Sequence, residues 1–194
     1  MEESKKTVSK ASKKKSAFAV RDVAFISLCV ALISVCSFIT VPAPVPFTLQ
    51  TFGVFFALFF LGGKRGTVAV TCYVLLGAFG APIFSGFKGG IGALAGATGG
   101  YIAGFFLLAV SFWAATKIFG EKNSVKVIAA VAGLILLYVF GTLWFVFVTS
   151  KTQTVTVKYA LFACVLPFVP FDAVKLIFAY ITGNRLKKRF PTVS

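Results

Sequence analysis

The chain contains no histidine, and only five of its 194 residues are acidic. Without imidazole, the usual zinc sites and the Ser-His form of nucleophilic catalysis have almost nothing to stand on. Its four cysteines, Cys29, Cys36, Cys72 and Cys164, all fall inside apolar runs and form no CxxC pair. They read as small buried apolar side chains rather than disulfides or metal ligands. The phosphate loop GxxxxGK[ST] is missing as well, so ATP-driven work would have to come from a partner. No catalytic residue, metal site or cofactor is therefore expected. A membrane-embedded enzyme is disfavoured, because no second acid, histidine or convincing nucleophile is available to work with Asp172.

Charge is the other scarcity. Only 13% of residues are charged, against roughly 25% in a soluble domain, while 58% are hydrophobic. Long apolar segments rather than alternating ones favour helices over a barrel. The fold class expected is an all-α integral membrane protein, a single bundle of six transmembrane helices. The spans are drawn at about Phe18–Val41, Thr51–Leu61, Gly66–Ala81, Gly99–Phe119, Val125–Thr149 and Tyr159–Thr182. The second and third are short for a membrane roughly 30 Å thick, with Gly62-Gly63-Lys64-Arg65-Gly66 between them as a cytoplasmic turn. The apolar run that follows the basic start is long and has a poor cleavage context in Pro42-Ala43-Pro44, so it is expected to be a retained first span.

The net charge of +15 resides in short stretches between those spans. With both termini cytoplasmic, sixteen Lys and Arg fall inside and only Lys88, Lys151 and Lys158 outside, as positive-inside topology requires. This pattern points to contact with anionic lipid and away from nucleic acid. The domain reading is a basic cytoplasmic tail over 1–16, a six-helix substrate-binding domain over 17–183 and a second basic tail over 184–194.

Two connecting segments are unlike ordinary loops. VPAPVPFTLQT (Val41–Thr51) is proline-rich, hence stiff and extended, and its apolar Phe47 and Leu49 suit a lid or cavity wall rather than an exposed turn. Pro82–Gly100 is rich in glycine and apolar residues with the single charge Lys88, which suits a lid or cavity wall folded back on the bundle. Beyond them, Asp172 is the one carboxylate expected within the membrane, and Lys175 shares its helix face at i,i+3. A charge at mid-bilayer costs ~2.5–3.5 kcal/mol on insertion scales, so such groups are rare and usually functional. Pro167 and Pro170 interrupt the same span, and interruptions of this kind commonly mark mid-depth binding sites. The pair therefore reads as the floor of a polar ligand site, with an ion pair that merely packs the bundle as the competing reading. Tyr101, directly after Gly99-Gly100, is a candidate to present its ring and hydroxyl to that ligand. Ser27 and Ala31 form a small-xxx-small pair that lets another helix approach closely.

Three ordered motifs carry a resemblance. PVPFTLQTF (Pro44–Phe52), ATGGYIAGF (Ala97–Phe105) and LPFVPFDAVK (Leu166–Lys175) resemble the BioY family, the biotin-specific S components of energy-coupling factor (ECF) transporters. The resemblance spans about Ala24 to Ile181. It implies a six-helix bundle in a bacterial plasma membrane, with biotin as transported ligand. A transmembrane coupling (T) subunit and two ATPase subunits are the implied partners. By position, Asp172 and Lys175 match the family's Asp-x-x-Lys pair, implied to hold the ureido ring. Lys88 becomes a candidate for the carboxylate of biotin, Tyr101, Thr48 and Gln50 match motif positions, and Ser27 and Ala31 are implied to face the coupling subunit. The chain departs from the pattern at Ala97, where relatives often carry proline, and in Ser27-xxx-Ala31, a looser form of Ala-xxx-Ala. A stand-alone secondary carrier for another small organic anion, energised through Asp172, is the alternative.

Overall fold

Apolar runs of this length must satisfy their own backbone hydrogen bonds in lipid, and helices do so within one segment. A computed structural model describes residues 20–42, 45–150 and 156–190. The tail 1–16, Ala43 and Pro44, Lys151 and the last four residues lie outside the described residues. The elements are α1 (Val20–Phe38), β1 (Thr40–Val41), β2 (Phe47–Thr48), α2 (Gln50–Ala78), α3 (Ile91–Ala95), α4 (Gly99–Phe119), α5 (Asn123–Thr149), α6 (Val157–Cys164) and α7 (Phe168–Arg189). Four of these, α1, α2, α4 and α5, are long and apolar enough to cross a membrane.

α2 is two helices joined at Gly62, whose φ of 81° and ψ of 175° break the spiral. Only glycine adopts that conformation without strain. The chain reverses there, because a Cβ on Gly66 would lie 2.9 Å from Leu58 Cα. The turn expected over Gly62–Gly66 is thus confined to one residue. The limbs, 50–61 and 63–78, are about 18 and 24 Å long. Such short limbs persist because they sit inside the bundle: 83% of the most apolar stretch of α2 is buried, against 33% for α5.

Small residues set the packing. α4 and α5 approach so closely that Cβ atoms on Gly141, Gly104 and Gly133 would meet Tyr101, Leu137 and Leu108. The second limb of α2 is fixed to α4 by Thr67 Oγ1, which donates to Ala109 O at 2.8 Å. α7 lies on the first limb, with Gly183 against Phe59.

At one end of the molecule the α2 reversal, the α4–α5 turn and the end of α7 converge. The backbone at Gly62 adjoins both Glu121 and Lys187, and Arg65 bonds Asp22 at the start of α1 at 3.2 Å. At the other end, β1 pairs antiparallel with β2, Thr40 opposite Thr48 and Val41 opposite Phe47. Of the proline-rich segment, Val41, Phe47 and Thr48 are thus in extended strands, while Gln50 and Thr51 already belong to α2. The single span expected over Tyr159–Thr182 is instead two helices, broken at 165–167. Pro167 lacks the N–H needed to continue α6, while Pro170 falls in the first turn of α7, where a missing donor is harmless.

Candidate functional site

The break before α7 sets Asp172 and Lys175 one turn into a helix and turns both inward, 3% and 7% exposed. Lys175 Nζ donates to Asp172 Oδ1 at 2.7 Å and to the backbone oxygen of Thr48 at 2.7 Å. Its remaining side lies over the Phe47 ring, 4.0 Å from the centroid. An ammonium has three donors and an aromatic face attracts it, so this cation is fully engaged. Asp172 Oδ2 accepts from the Tyr138 hydroxyl at 2.5 Å. Both carboxylate oxygens thus have partners, the condition under which a buried ion pair is tolerable.

The same groups border a cavity of about 100 Å³. Asp172, Lys175, Lys88, Tyr101, Gln50 and Thr48 all line it, so the six ligand-site positions expected from sequence meet in one place. Their geometries differ. Thr48 uses its backbone oxygen for Lys175, and its hydroxyl oxygen accepts from the Gln50 N–H at 3.2 Å, fixing the start of α2. Tyr101 is buried, pairs with Thr142 Oγ1 at 3.1 Å and packs its ring against Gly141. Lys88 is exposed at the rim and makes no ion pair among the described residues. Apolar walls come from Ile102, Phe105, Leu137 and Phe168.

The glycine-rich segment forms one wall through Phe84, Ser85, Lys88 and Ala93. It is anchored by the Phe84 ring, which occupies the space a Cβ on Gly77 would need. Further ties are Gly90 N to Gly77 O at 2.7 Å, Ser85 Oγ to Thr40 Oγ1 at 3.2 Å and Trp144 Nε1 to Gly96 O at 3.0 Å.

Sequence reasoning missed Tyr138 and placed Phe47 only in a lid or cavity wall, not against Lys175; the two complete the surroundings of the charged pair. The available signal for Tyr138 was a lone hydroxyl inside the apolar run LILLYVFG (Leu134–Gly141). Ser27 and Ala31 are not at the cavity. Both are exposed on α1, alongside exposed Val23, Leu28 and Val35. Among the described residues no cluster of His, Cys, Asp and Glu able to hold a metal is present. A mostly apolar chamber with a neutralised pair at depth and, at the rim, Lys88 without an ion-pair partner among the described residues suits a small amphipathic ligand with an anionic end.

A profile of the BioY family matches residues 6–192. Among curated proteins, the chain is 43% identical to the biotin transporter BioY of Thermotoga maritima over 161 residues, covering 81% of this chain and 90% of that one. It is 38% identical to the probable biotin transporter BioY of Pyrococcus horikoshii, covering 86% and 96% respectively. Among solved structures it is similar to the S-component for biotin from an ECF-type ABC transporter, with a TM-score of 0.76 and 27% identity, covering 87% of this chain and 92% of that one.

Proposed function

The chain belongs to the BioY family, and from that premise we propose that it is the biotin-binding S component of an ECF transporter, a transport protein and not an enzyme. One observation carries the reading: a preorganised Asp172–Lys175–Tyr138 cluster faces a largely apolar cavity whose rim holds the unpaired Lys88. A ureido ring offers two N–H donors, which the remaining lone pairs of the Asp172 carboxylate can accept, and one carbonyl acceptor, which takes the Lys175 donor now turned to the Phe47 ring once that ring moves aside. The valerate carboxylate then takes Lys88, and the wall residues cover the thiophane ring and its chain. At about 100 Å³ the chamber is smaller than the roughly 300 Å³ or more of typical small-molecule sites. Loading therefore requires the two walls that are not long helices, the β1–β2 hairpin and the glycine-rich segment with its short α3, to move outward.

The remaining assignments follow the same reading. Six spans arise from α1, the two limbs of α2, α4, α5 and the α6–α7 pair. The end gathering Arg65, Glu121 and Lys187 is cytoplasmic, as are both termini, and the membrane is the plasma membrane. The exposed Ser27-xxx-Ala31 stripe faces the coupling subunit, and two ATPase subunits supply the energy that this chain cannot. Release to the inside requires a state with lower affinity for biotin, which those partners must stabilise.

The test is equilibrium binding of labelled biotin to the purified chain and to Asp172→Asn and Lys175→Ala. Both substitutions should abolish measurable binding; retention in both overturns the site assignment. Uptake of a different anion into vesicles lacking any ATPase, collapsing with a proton ionophore, would favour the secondary-carrier alternative.

A further inference from the structure

Gln50 opens α2, is 4% exposed and lines the cavity. Its side-chain Nε2 lies 2.8 Å from the hydroxyl of Tyr73, a residue wholly buried on the second limb of α2. That hydroxyl is in turn 3.0 Å from the backbone oxygen of Ile83, in the glycine-rich wall. Two oxygens at that distance need a proton between them, and a carbonyl cannot supply it. The Tyr73 proton is therefore committed to Ile83. Ser37, whose hydroxyl lies 2.7 Å from Ser34 O and 2.6 Å from Ile83 O, spends its one proton on those carbonyls and does not donate to Tyr73; accepting from Tyr73 would equally keep the tyrosine proton from Gln50. Tyr73 can then only accept from Gln50, which fixes the amide: NH2 toward the tyrosine, Oε1 away from it. Oε1 has no partner among the described residues and is not sealed from open space.

We propose that Tyr73 is a positioning residue that presents the carbonyl oxygen of Gln50, rather than its NH2, to the ligand. This edge of the chamber then selects an N–H donor and rejects a carboxylate or carbonyl. The inference rests on the reading of the cavity as a biotin site, within which it assigns a ring N–H to Gln50 and excludes the valerate end. It also ties selectivity to the wall. The Ile83 oxygen fixes the tyrosine proton only while the glycine-rich segment is closed, and once that segment moves out Gln50 is free to flip.

The experiment measures affinity for biotin and for its two mono-N-methylated ring-urea analogues. It uses the purified full chain, Tyr73→Phe, Gln50→Met and the double variant. The phenylalanine keeps the edge contact with Phe84, whose centroid is 5.5 Å from that of Tyr73. Methionine keeps the length of glutamine and leaves Tyr73 bonded to Ile83. For one of the two analogues, Gln50→Met should cut the preference for biotin roughly tenfold, the worth of one good hydrogen bond. Tyr73→Phe should cut it several-fold, and the double variant no further than Gln50→Met alone, since the two act as one unit. A tyrosine that merely packed the wall would weaken biotin and analogue equally. An unchanged preference in either single variant, or multiplying effects in the double, overturns the inference. Failure of the unsubstituted chain to bind biotin overturns the site reading itself, and this inference with it.

Discussion

α7 carries two acid–base clusters about 22 Å apart along its axis, and they behave as opposites. Near its start, Asp172 and Lys175 have side chains 4% and 8% exposed, and Tyr138, Thr48 and Phe47 complete their surroundings. Near its end, Lys187 meets Glu121 at 3.4 Å, and Glu121 also holds Lys126 at 3.1 Å while remaining 58% exposed. Water and salt reach the second cluster through Glu121, although its cations Lys126 and Lys187 are themselves only 7% and 16% exposed. Nothing screens the first, so each of its groups depends on every other. The same residue types serve as a topological clasp where water reaches them and as a recognition element where it does not.

The comparison is broken most directly at the buried pair. Asp172→Asn leaves the Lys175 ammonium uncompensated and should cost about 3–5 kcal/mol, read as a lowered midpoint of thermal unfolding in detergent, together with loss of biotin binding. The paired replacement Asp172→Leu with Lys175→Met should recover most of that stability, because well-packed apolar groups often match a buried ion pair, while binding stays absent. A double variant that still captures biotin would reduce the pair to packing. Tyr138→Phe is next in size. It strips Asp172 Oδ2 of its donor, costs about 1–3 kcal/mol, and should lower biotin affinity by roughly tenfold. Unchanged stability and affinity would place that oxygen in contact with water, contrary to its burial.

The asymmetry between the clusters also explains what was legible in the sequence. Asp172 and Lys175 stood out because a charge in an apolar run has no ordinary excuse, and the prolines beside them announced the break at 165–167. Tyr101 entered through the Gly99-Gly100 pair before it, whereas Lys88, Gln50 and Thr48 entered as ligand positions only through the resemblance to the BioY motifs. Tyr138 and Tyr73 left no such mark, since a tyrosine in a helix is unremarkable until its hydroxyl partner is known. That partner lies 34 residues away for Tyr138 and 10 to 23 away for Tyr73. The short second and third spans were legible as elements but not in their placement. Their burial depends on being surrounded by α1, α4 and α7, a tertiary fact that hydropathy does not carry. The break expected across five residues collapsed to Gly62 because a single positive φ suffices to reverse the chain.

Lys88 separates recognition from stability. Exposed at the rim and unpaired, it should tolerate Lys88→Gln with no change in unfolding midpoint. Biotin affinity should fall about tenfold, the scale of one charge-assisted hydrogen bond. Biotinamide, which lacks the negative end, should bind both proteins alike. Equal losses for biotin and biotinamide would move the carboxylate to another partner.

The smallest effect belongs to the exposed cluster, and its sign is fixed. Burial tends to raise the Glu121 carboxyl, but the bond from Lys126 and the charges of Lys187 and Lys126 outweigh it and hold the group below its ordinary 4.5. A carboxyl depressed on folding contributes stability that is fully present above its unfolded value and is lost as pH falls through the folded one. The unfolding midpoint should therefore be flat with respect to this group above about pH 5 and decline below pH 4.5, and Glu121→Gln should remove that part of the decline. At neutral pH the substitution should cost less than Asp172→Asn, because water reaches Glu121 even though Lys126 beside it is only 7% exposed, and the cost should shrink in high salt. A loss at neutral pH as large as that of Asp172→Asn would erase the distinction between the two clusters.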